Sequence, residues 1–296
     1  MPQSSPDNDR RALGRTLDGV RGLLLDLDGV IILRGRAIDG AAEAMAELDR
    51  RGLPYRIVTN TSLISRAGLE REGRRIGVPI PRERFMSALS ATAAWTAATF
   101  PGRPLYVLTS DDARTEFEGQ RLLSHEEADD PETEAAAVVI GDSPDEITYP
   151  NLNRAFRLVR RGARLVGMHR NPWWLTPSGP TLDSGAFVAG LEYATGTAAT
   201  ILGKPSREFF AEGVRELAAE VRAQGGRRLV RGDVAMVGDD IQTDVLAGQR
   251  AGLRGIFVRT GKHGDAEIAE AGSQRRGGGR PDGIAASLAE VVAALD

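Results

Sequence analysis

Short apolar runs, four or five residues long, alternate along this chain with stretches whose apolar residues recur every three or four positions. The first pattern suits a strand buried on both faces, the second a helix with one face against a core. Regular alternation of the two argues for an α/β fold: a doubly wound, Rossmann-like parallel sheet with helices on both sides. Gly22–Leu25 is the first such run. Asp39 is placed to cap a helix reaching Arg51, with Ala41, Ala44, Met45 and Leu48 on one face and Gly52 as its stop. Tyr55–Thr59 and residues 65–76 read as the next strand and helix. The alternation returns late in the chain with a strand at 200–202, a helix at 206–223, a strand at 234–237, a helix at 241–251, a strand at 255–258 and a helix at 284–295.

Residues 1–16 are polar and aperiodic and read as a disordered tail. Residues 17–86 and 201–296 then make a core. Residues 87–200 hold strands at 105–108, 137–140 and 164–168 and a helix at 151–161, enough for a second α/β unit inserted into the first. Pro/Gly-rich or charged stretches at 101–104, 126–134, 171–179 and 272–283 read as loops. A length of 296 residues accommodates a core plus an insert.

Composition removes several function classes. With no cysteine, disulfides, thiol catalysis and cysteine-based metal sites are excluded. A net charge of −3 gives no general attraction to nucleic acid or anionic lipid, so neither is expected as a partner. No apolar run reaches membrane-spanning length, and the polar N-terminus lacks a signal peptide's hydrophobic stretch. A cytoplasmic protein is the simplest expectation. Of 38 basic residues only Lys204 and Lys262 are lysines, so these are positions where arginine does not obviously serve.

Open parallel sheets bind ligands at the carboxyl ends of their strands. Four apolar runs here finish in polar groups: Asp26-Leu27-Asp28-Gly29, Thr59-Asn60-Thr61, Gly203-Lys204-Pro205, and Gly238-Asp239-Asp240 leading to Asp244. On one parallel sheet these tips share an edge and bring together carboxylates, a hydroxyl, backbone N–H groups and an ammonium. That inventory suits a phosphoryl group with Mg²⁺, which takes oxygen ligands and keeps several waters. A carboxylate attacks a phosphate dianion only if their repulsion is neutralised, by the metal and Lys204. Attack by Asp26 would give an aspartyl phosphate and divide a hard hydrolysis into two easier steps. Asp28 is placed to protonate the leaving oxygen and then to deprotonate water. Thr59 and the N–H groups near Asn60 would hold the non-bridging oxygens.

Taken singly, each motif also has a structural reading. Asp-x-Asp-Gly occurs in turns, although a calcium loop fails because Val30 sits where a third oxygen ligand belongs. Asp239 or Asp240 would serve as a helix cap, and Lys204 as a solvated loop lysine. Their occurrence together, in order and each after an apolar run, favours one joint site.

In this order the four motifs resemble those of the haloacid dehalogenase superfamily of phosphohydrolases, and the long insert resembles the large α/β cap of its NagD-like branch. The resemblance runs from about Gly22 to the C-terminus. It implies that Asp26 is nucleophile and metal ligand, and that Asp28 is acid/base and a ligand through its backbone carbonyl. It further implies that Asp239 is a metal ligand, that Asp244, or else Asp240, supports the metal's waters, and that Thr59, Asn60, Thr61 and Lys204 bind phosphate. A homodimer through the cap is an arrangement the branch often uses. The Arg/Gly-rich stretch 222–231 and the loop 272–283 depart from the branch without touching a motif.

The stretch Met168-His169-Arg170-Asn171-Pro172-Trp173-Trp174 resembles a cap loop of that branch, which makes His169 and Asn171 candidate substrate contacts. Trp173 and Trp174 have two readings, packing in the cap's core, which is the favoured one, or lining the site to exclude water or stack on a ring, and Asp142 has a reading as a helix cap. The leading expectation is a phosphatase for a small phosphorylated metabolite, phosphoramidates or pyrophosphate included. A phosphomutase uses the same aspartates but is disfavoured by the large insert, and a dehalogenase is disfavoured by Asp28. A non-catalytic phosphate-binding or regulatory protein is the reading from another class, disfavoured by the intact acidic set.

Overall fold

The computed structural model describes residues 6–273 and 279–295. Its main sheet has six strands in the order Gly283–Ala285, Arg254–Val258, Val234–Gly238, Gly22–Leu25, Tyr55–Thr59 and Phe85–Ser87. The pairings from Gly283–Ala285 across to Tyr55–Thr59 are all parallel. The central strands are buried throughout, as parallel strands between helical layers must be. Helix Ala41–Arg51 turns Ala41, Ala44, Met45 and Leu48 inward and ends at Gly52, which adopts the left-handed conformation. Its N-cap is Gly40, with no side-chain cap bond, so Asp39 does not play the expected part.

The chain divides into two compact units. One takes the residues up to Thr59, Glu72–Phe85 and the chain from Lys204 onward; the other takes Asn60–Arg71 and Met86–Gly203. The second unit has its own four-stranded sheet, ordered Thr200–Ile201, Arg164–Gly167, Ala137–Ile140 and Leu105–Leu108, all parallel. Helices Tyr149–Arg160 and Ser184–Thr195 supply Leu158, Val159, Val188 and Leu191 to one buried cluster, and Ala88–Thr99 supplies Ala88, Leu89 and Ala93 to another. The architecture is therefore the α/β fold with an inserted α/β unit read from the sequence.

Several expectations are corrected. Thr200–Ile201 pairs with Arg164–Gly167 in the inserted unit's sheet, not in the main sheet. The supposed last helix at 284–295 is instead the edge strand Gly283–Ala285 followed by helix Leu288–Ala293. Part of the 126–134 loop is the helix His125–Asp129, started by a Ser124–Glu127 capping box. Residues 171–179 contain most of an antiparallel hairpin, Trp173–Thr176 with Gly179–Leu182. Both tryptophans are exposed on it, so neither packs the core. The helix Tyr149–Arg160 that follows is capped by Thr148, not by Asp142. Arg21 donates to the carbonyls of Arg227 and Arg228, which ties down the Arg/Gly-rich stretch 222–231. Of the 272–283 loop, residues 274–278 lie outside the described residues.

The expected disordered tail is helical over Pro6–Leu17, while residues 1–5 lie outside the described residues. Leu13 and Leu17 are buried, and Thr16 Oγ1 donates to the Asp282 carbonyl at 2.9 Å. Two apolar anchors four residues apart explain why so polar a segment docks. Leu13→Ala should lower the unfolding free energy by about 2–4 kcal/mol in urea titrations. A change within about 0.5 kcal/mol would mean that the helix adds nothing to the fold.

Candidate active site

From Gly22–Leu25 the chain builds the main sheet in one direction, to Tyr55–Thr59 and Phe85–Ser87. It then returns to add Val234–Gly238, Arg254–Val258 and Gly283–Ala285 on the other side. The order therefore reverses between Gly22–Leu25 and Val234–Gly238, the place where open α/β sheets leave a crevice beyond their carboxyl ends. Leu25 is in register with Val237, and the Asp26 N–H donates to the Val237 carbonyl at 2.9 Å. Asp26 and Asp239 thus leave neighbouring strands at nearly the same level.

Asp26, Asp239 and Asp244 are buried, and each offers a carboxylate oxygen within 4.8 Å of the others. Lys204 is buried among them, its Nζ 2.7 Å from Asp26 Oδ1 and 2.8 Å from Asp244 Oδ1. Asp26 Oδ1 also accepts the Leu27 N–H at 2.7 Å, so this oxygen is fixed from two sides. Asp240 points differently. Its Oδ1 accepts the N–H groups of Gln242 and Thr243, both at 2.9 Å, and so caps the π-helical turn Ile241–Leu246. That turn returns Asp244 towards the strand end, where its Oδ2 accepts the Asp240 N–H at 3.2 Å. Asp240 is thereby a cap, which leaves Asp239 and Asp244 as the fourth motif's contributions to the carboxylate cluster.

Gly29 has φ 77°, and a Cβ there would fall 2.3 Å from Asp239 Oδ2, so both the turn and the close approach exclude a side chain. Thr260 Oγ1 donates to the Gly29 carbonyl at 2.5 Å. From the same strand-end loop, the Lys262 N–H donates to Asp239 Oδ2 at 2.7 Å and Lys262 Nζ lies 2.8 Å from Asp240 Oδ2.

Crowded and buried, these carboxyls resist ionisation. Burial raises Asp26 to about 6 against the opposing pull of Lys204, with the charges of Asp239 and Asp28 adding to the rise. Burial and the neighbouring Asp244 raise Asp239 to about 7, and burial with Asp26 raises Asp244 to about 8. Asp240 goes the other way: burial alone would raise it, but Lys262 and the capping N–H groups hold it at about 2. Burial would lower Lys204, yet Asp244 and Asp26 outweigh that and keep it protonated. A cluster of hard oxygen donors whose protons come off reluctantly for want of positive charge fits a hard divalent cation.

The structure brings Asp26, Asp239, Asp244 and Lys204 together as a set. Thr59 is buried at the end of its strand, and Asp28 is exposed beyond the end of its own. Asn60 and Thr61 group with the inserted unit, where Asn60 Nδ2 donates to Asn171 Oδ1 at 3.2 Å. His169, expected to meet a substrate, is instead buried in that unit. The Asn171 N–H donates to its Nδ1 at 3.3 Å, and its Nε2 lies 3.0 Å from Ser184 Oγ and 3.3 Å from Ser62 Oγ. Lys262 was missed as a site residue. Two signals pointed to it: it is one of two lysines, and it follows the strand Arg254–Val258, whose tip lies on the same edge.

A haloacid dehalogenase-like hydrolase family model matches residues 23–122, and a second model of the same kind matches residues 201–291. The chain belongs to the haloacid dehalogenase-like hydrolase family and is an enzyme of its phosphatase type. Haloacid dehalogenase-like hydrolase domain-containing protein 2 of Bos taurus is 34% identical over 248 residues, which cover 84% of this chain and 87% of that protein. Phospholysine phosphohistidine inorganic pyrophosphate phosphatase of Homo sapiens is 34% identical over 255 residues, covering 84% and 86%. The structure of p-nitrophenyl phosphatase from Archaeoglobus fulgidus aligns with a TM-score of 0.79 at 26% identity, covering 93% of this chain and 99% of that one. Among the described residues no helix is long and apolar enough to cross a membrane.

The raised carboxyls set a pH dependence. Asp244 binds its proton up to about 8 when folded but only to 3.8 in the reference state, so between those values the folded chain holds more protons than the unfolded one. Stability from this group is then lost as pH rises through that window. In chelator, the Tm of the parent minus that of Asp244→Asn should fall steadily from about pH 5 to about pH 8. A difference that stays flat or grows would show that Asp244 ionises as freely folded as unfolded.

Proposed function

We propose that the chain is a Mg²⁺-dependent phosphatase that hydrolyses a small phosphorylated metabolite through an aspartyl phosphate on Asp26. The observation that carries this reading is the convergence of the Asp26, Asp239 and Asp244 carboxylates around the Lys204 ammonium at the end of the central strand. Asp26, Asp239 and Asp244 would hold Mg²⁺, which, when bound, offsets the negative charge of the phosphoryl group and of the attacking carboxylate. With Asp26 Oδ1 fixed by the Leu27 N–H and Lys204, Oδ2 is the oxygen left to attack phosphorus. The new Oδ2–P bond forms as the P–O bond to the leaving group breaks, and Asp28 gives its proton to the departing oxygen. Asp28 then takes a proton from water as that water attacks phosphorus, the Asp26–phosphoryl bond breaks, and phosphate leaves. The exposure of Asp28 suits a group that must meet both leaving group and water. Lys204 and Thr59 would neutralise and orient the non-bridging oxygens.

One relative is named for phospholysine, phosphohistidine and inorganic pyrophosphate, and the Archaeoglobus fulgidus protein for p-nitrophenyl phosphate. These names support a substrate range that covers P–O esters, P–N bonds and the anhydride of pyrophosphate. With p-nitrophenyl phosphate and Mg²⁺ the chain should release phosphate, and excess chelator should stop it. Asp26→Asn should lower the rate by roughly 10³-fold or more, as loss of a nucleophile does. Asp28→Asn, slowed in the second step, should accumulate protein heavier by one phosphoryl group. Turnover that survives Asp26→Asn would end the covalent reading, and no turnover by the parent on esters, phosphoramidates and pyrophosphate alike would end the phosphatase reading.

A further inference from the structure

We propose that Lys262 is a positioning residue for the metal-binding carboxylate of Asp239, acting through its backbone N–H and anchored by its own side chain. This rests on the Mg²⁺-dependent reading above. Three observations converge on it. The Lys262 N–H donates to Asp239 Oδ2 at 2.7 Å, which fixes one carboxylate oxygen and leaves the other as a single-point ligand. A Cβ at Gly261 would lie 1.9 Å from the same oxygen, so the loop backbone lies directly against this carboxylate. The ammonium of Lys262 meets Asp240 Oδ2 at 2.8 Å, while Asp240 Oδ1 caps the turn that carries Asp244.

The loop is pinned at both ends of this contact. Thr260 Oγ1 donates to the Gly29 carbonyl at 2.5 Å, and His263 Nδ1 accepts the Ile241 N–H at 3.2 Å. The loop Thr260–His263 thereby joins three elements, the turn after the first strand through Thr260, the Asp239 strand end through the Lys262 N–H, and the π-helical turn bearing Asp244 through the Lys262 ammonium and His263. The ion pair also cancels the charge of Asp240, whose carboxylate is turned to the π-helical cap rather than into the carboxylate cluster. Without the ammonium, Asp240 would be left as an uncompensated buried charge beside the cation site, and the loop amide would lose the tether that presents it to Asp239. Such outer contacts typically govern metal affinity by 10–100-fold when removed.

The test compares the parent with Lys262→Met and Lys262→Arg. Mg²⁺ binding is measured by calorimetry without substrate, Tm is measured in chelator, and KM for p-nitrophenyl phosphate is measured at saturating Mg²⁺. Lys262→Met should weaken Mg²⁺ binding at least about tenfold, with KM within about twofold of the parent, and with Tm lowered only by the several degrees that loss of the Asp240 ion pair implies, the protein staying folded at the assay temperature. Lys262→Arg, which keeps the charge and the backbone amide, should recover part of the affinity. Mg²⁺ affinity unchanged in Lys262→Met overturns the proposal, as does a loss of affinity matched by a collapse of Tm, which marks a merely structural residue. A raised KM at unchanged Mg²⁺ affinity also overturns it and makes Lys262 a substrate contact. A parent that binds no Mg²⁺ overturns the metal-dependent reading, and this proposal with it.

Discussion

Four carboxylates withdrawn from water at one end of a parallel sheet are the constraint to which the rest of this molecule answers. Asp26, Asp239, Asp240 and Asp244 are all buried, and among the described residues the ammonium groups of Lys204 and Lys262 oppose them. Ionised, the six groups leave two negative charges uncompensated, the charge of one divalent cation. Burying such groups without a partner costs several kcal/mol each, so a chain that only had to fold would not assemble them. The cost falls where function resides, and the surrounding structure is arranged to bear it.

That arrangement is made almost wholly of backbone. Parallel strands set Leu25 level with Val237, so two aspartates emerge side by side without further design. Gly29 and Gly261 allow main chain to lie against the Asp239 carboxylate from two directions, where any side chain would collide with it. The π-helical turn after Asp240 brings Asp244 back over the strand end, an unusual geometry that recurs at functional sites. Amide groups of Leu27, Asp240 and Lys262 each hold one carboxylate oxygen. Fixed dipoles of this kind keep the charges in place before a ligand arrives, which is the condition for electrostatic catalysis.

The long elements and the acidic set were legible in the sequence because both have local signatures. Buried strands such as Gly22–Leu25 and Val234–Gly238 are continuous apolar runs, and each ends in its aspartates. What escaped the reading has no local signature. Thr200–Ile201 is two residues long, and nothing in two residues says which sheet will accept it. Gly283–Ala285 is equally short and runs straight towards a helix, so helical periodicity absorbed it. The helix Pro6–Leu17 is polar enough to pass for a tail, and only the burial of Leu13 and Leu17 against the fold justifies it. His169 was read as a substrate contact from the resemblance of its stretch to a cap loop; its partners Ser62 and Ser184 are 107 and 15 residues away in the chain and could not be foreseen. Trp173 and Trp174 went the other way, expected inside and found exposed on a hairpin.

The two lysines explain why composition was informative where pattern was not. Almost every basic side chain in this protein is an arginine, which suits the exposed pairs on helix surfaces such as Arg50 with Glu47 and Arg75 with Glu72. At position 204 the cation sits between two buried carboxylates, 2.7 Å from Asp26 Oδ1 and 2.8 Å from Asp244 Oδ1. A tetrahedral ammonium turns its three donors to whichever oxygens surround it; a guanidinium spreads its charge over a plane and brings two further nitrogens that would need partners or room. At position 262 the same compactness lets the side chain reach Asp240 while its backbone remains flat against Asp239. The rarity of lysine in this chain thus marks the two places where positive charge has to be concentrated at a point, and both of them border the same cluster of carboxylates.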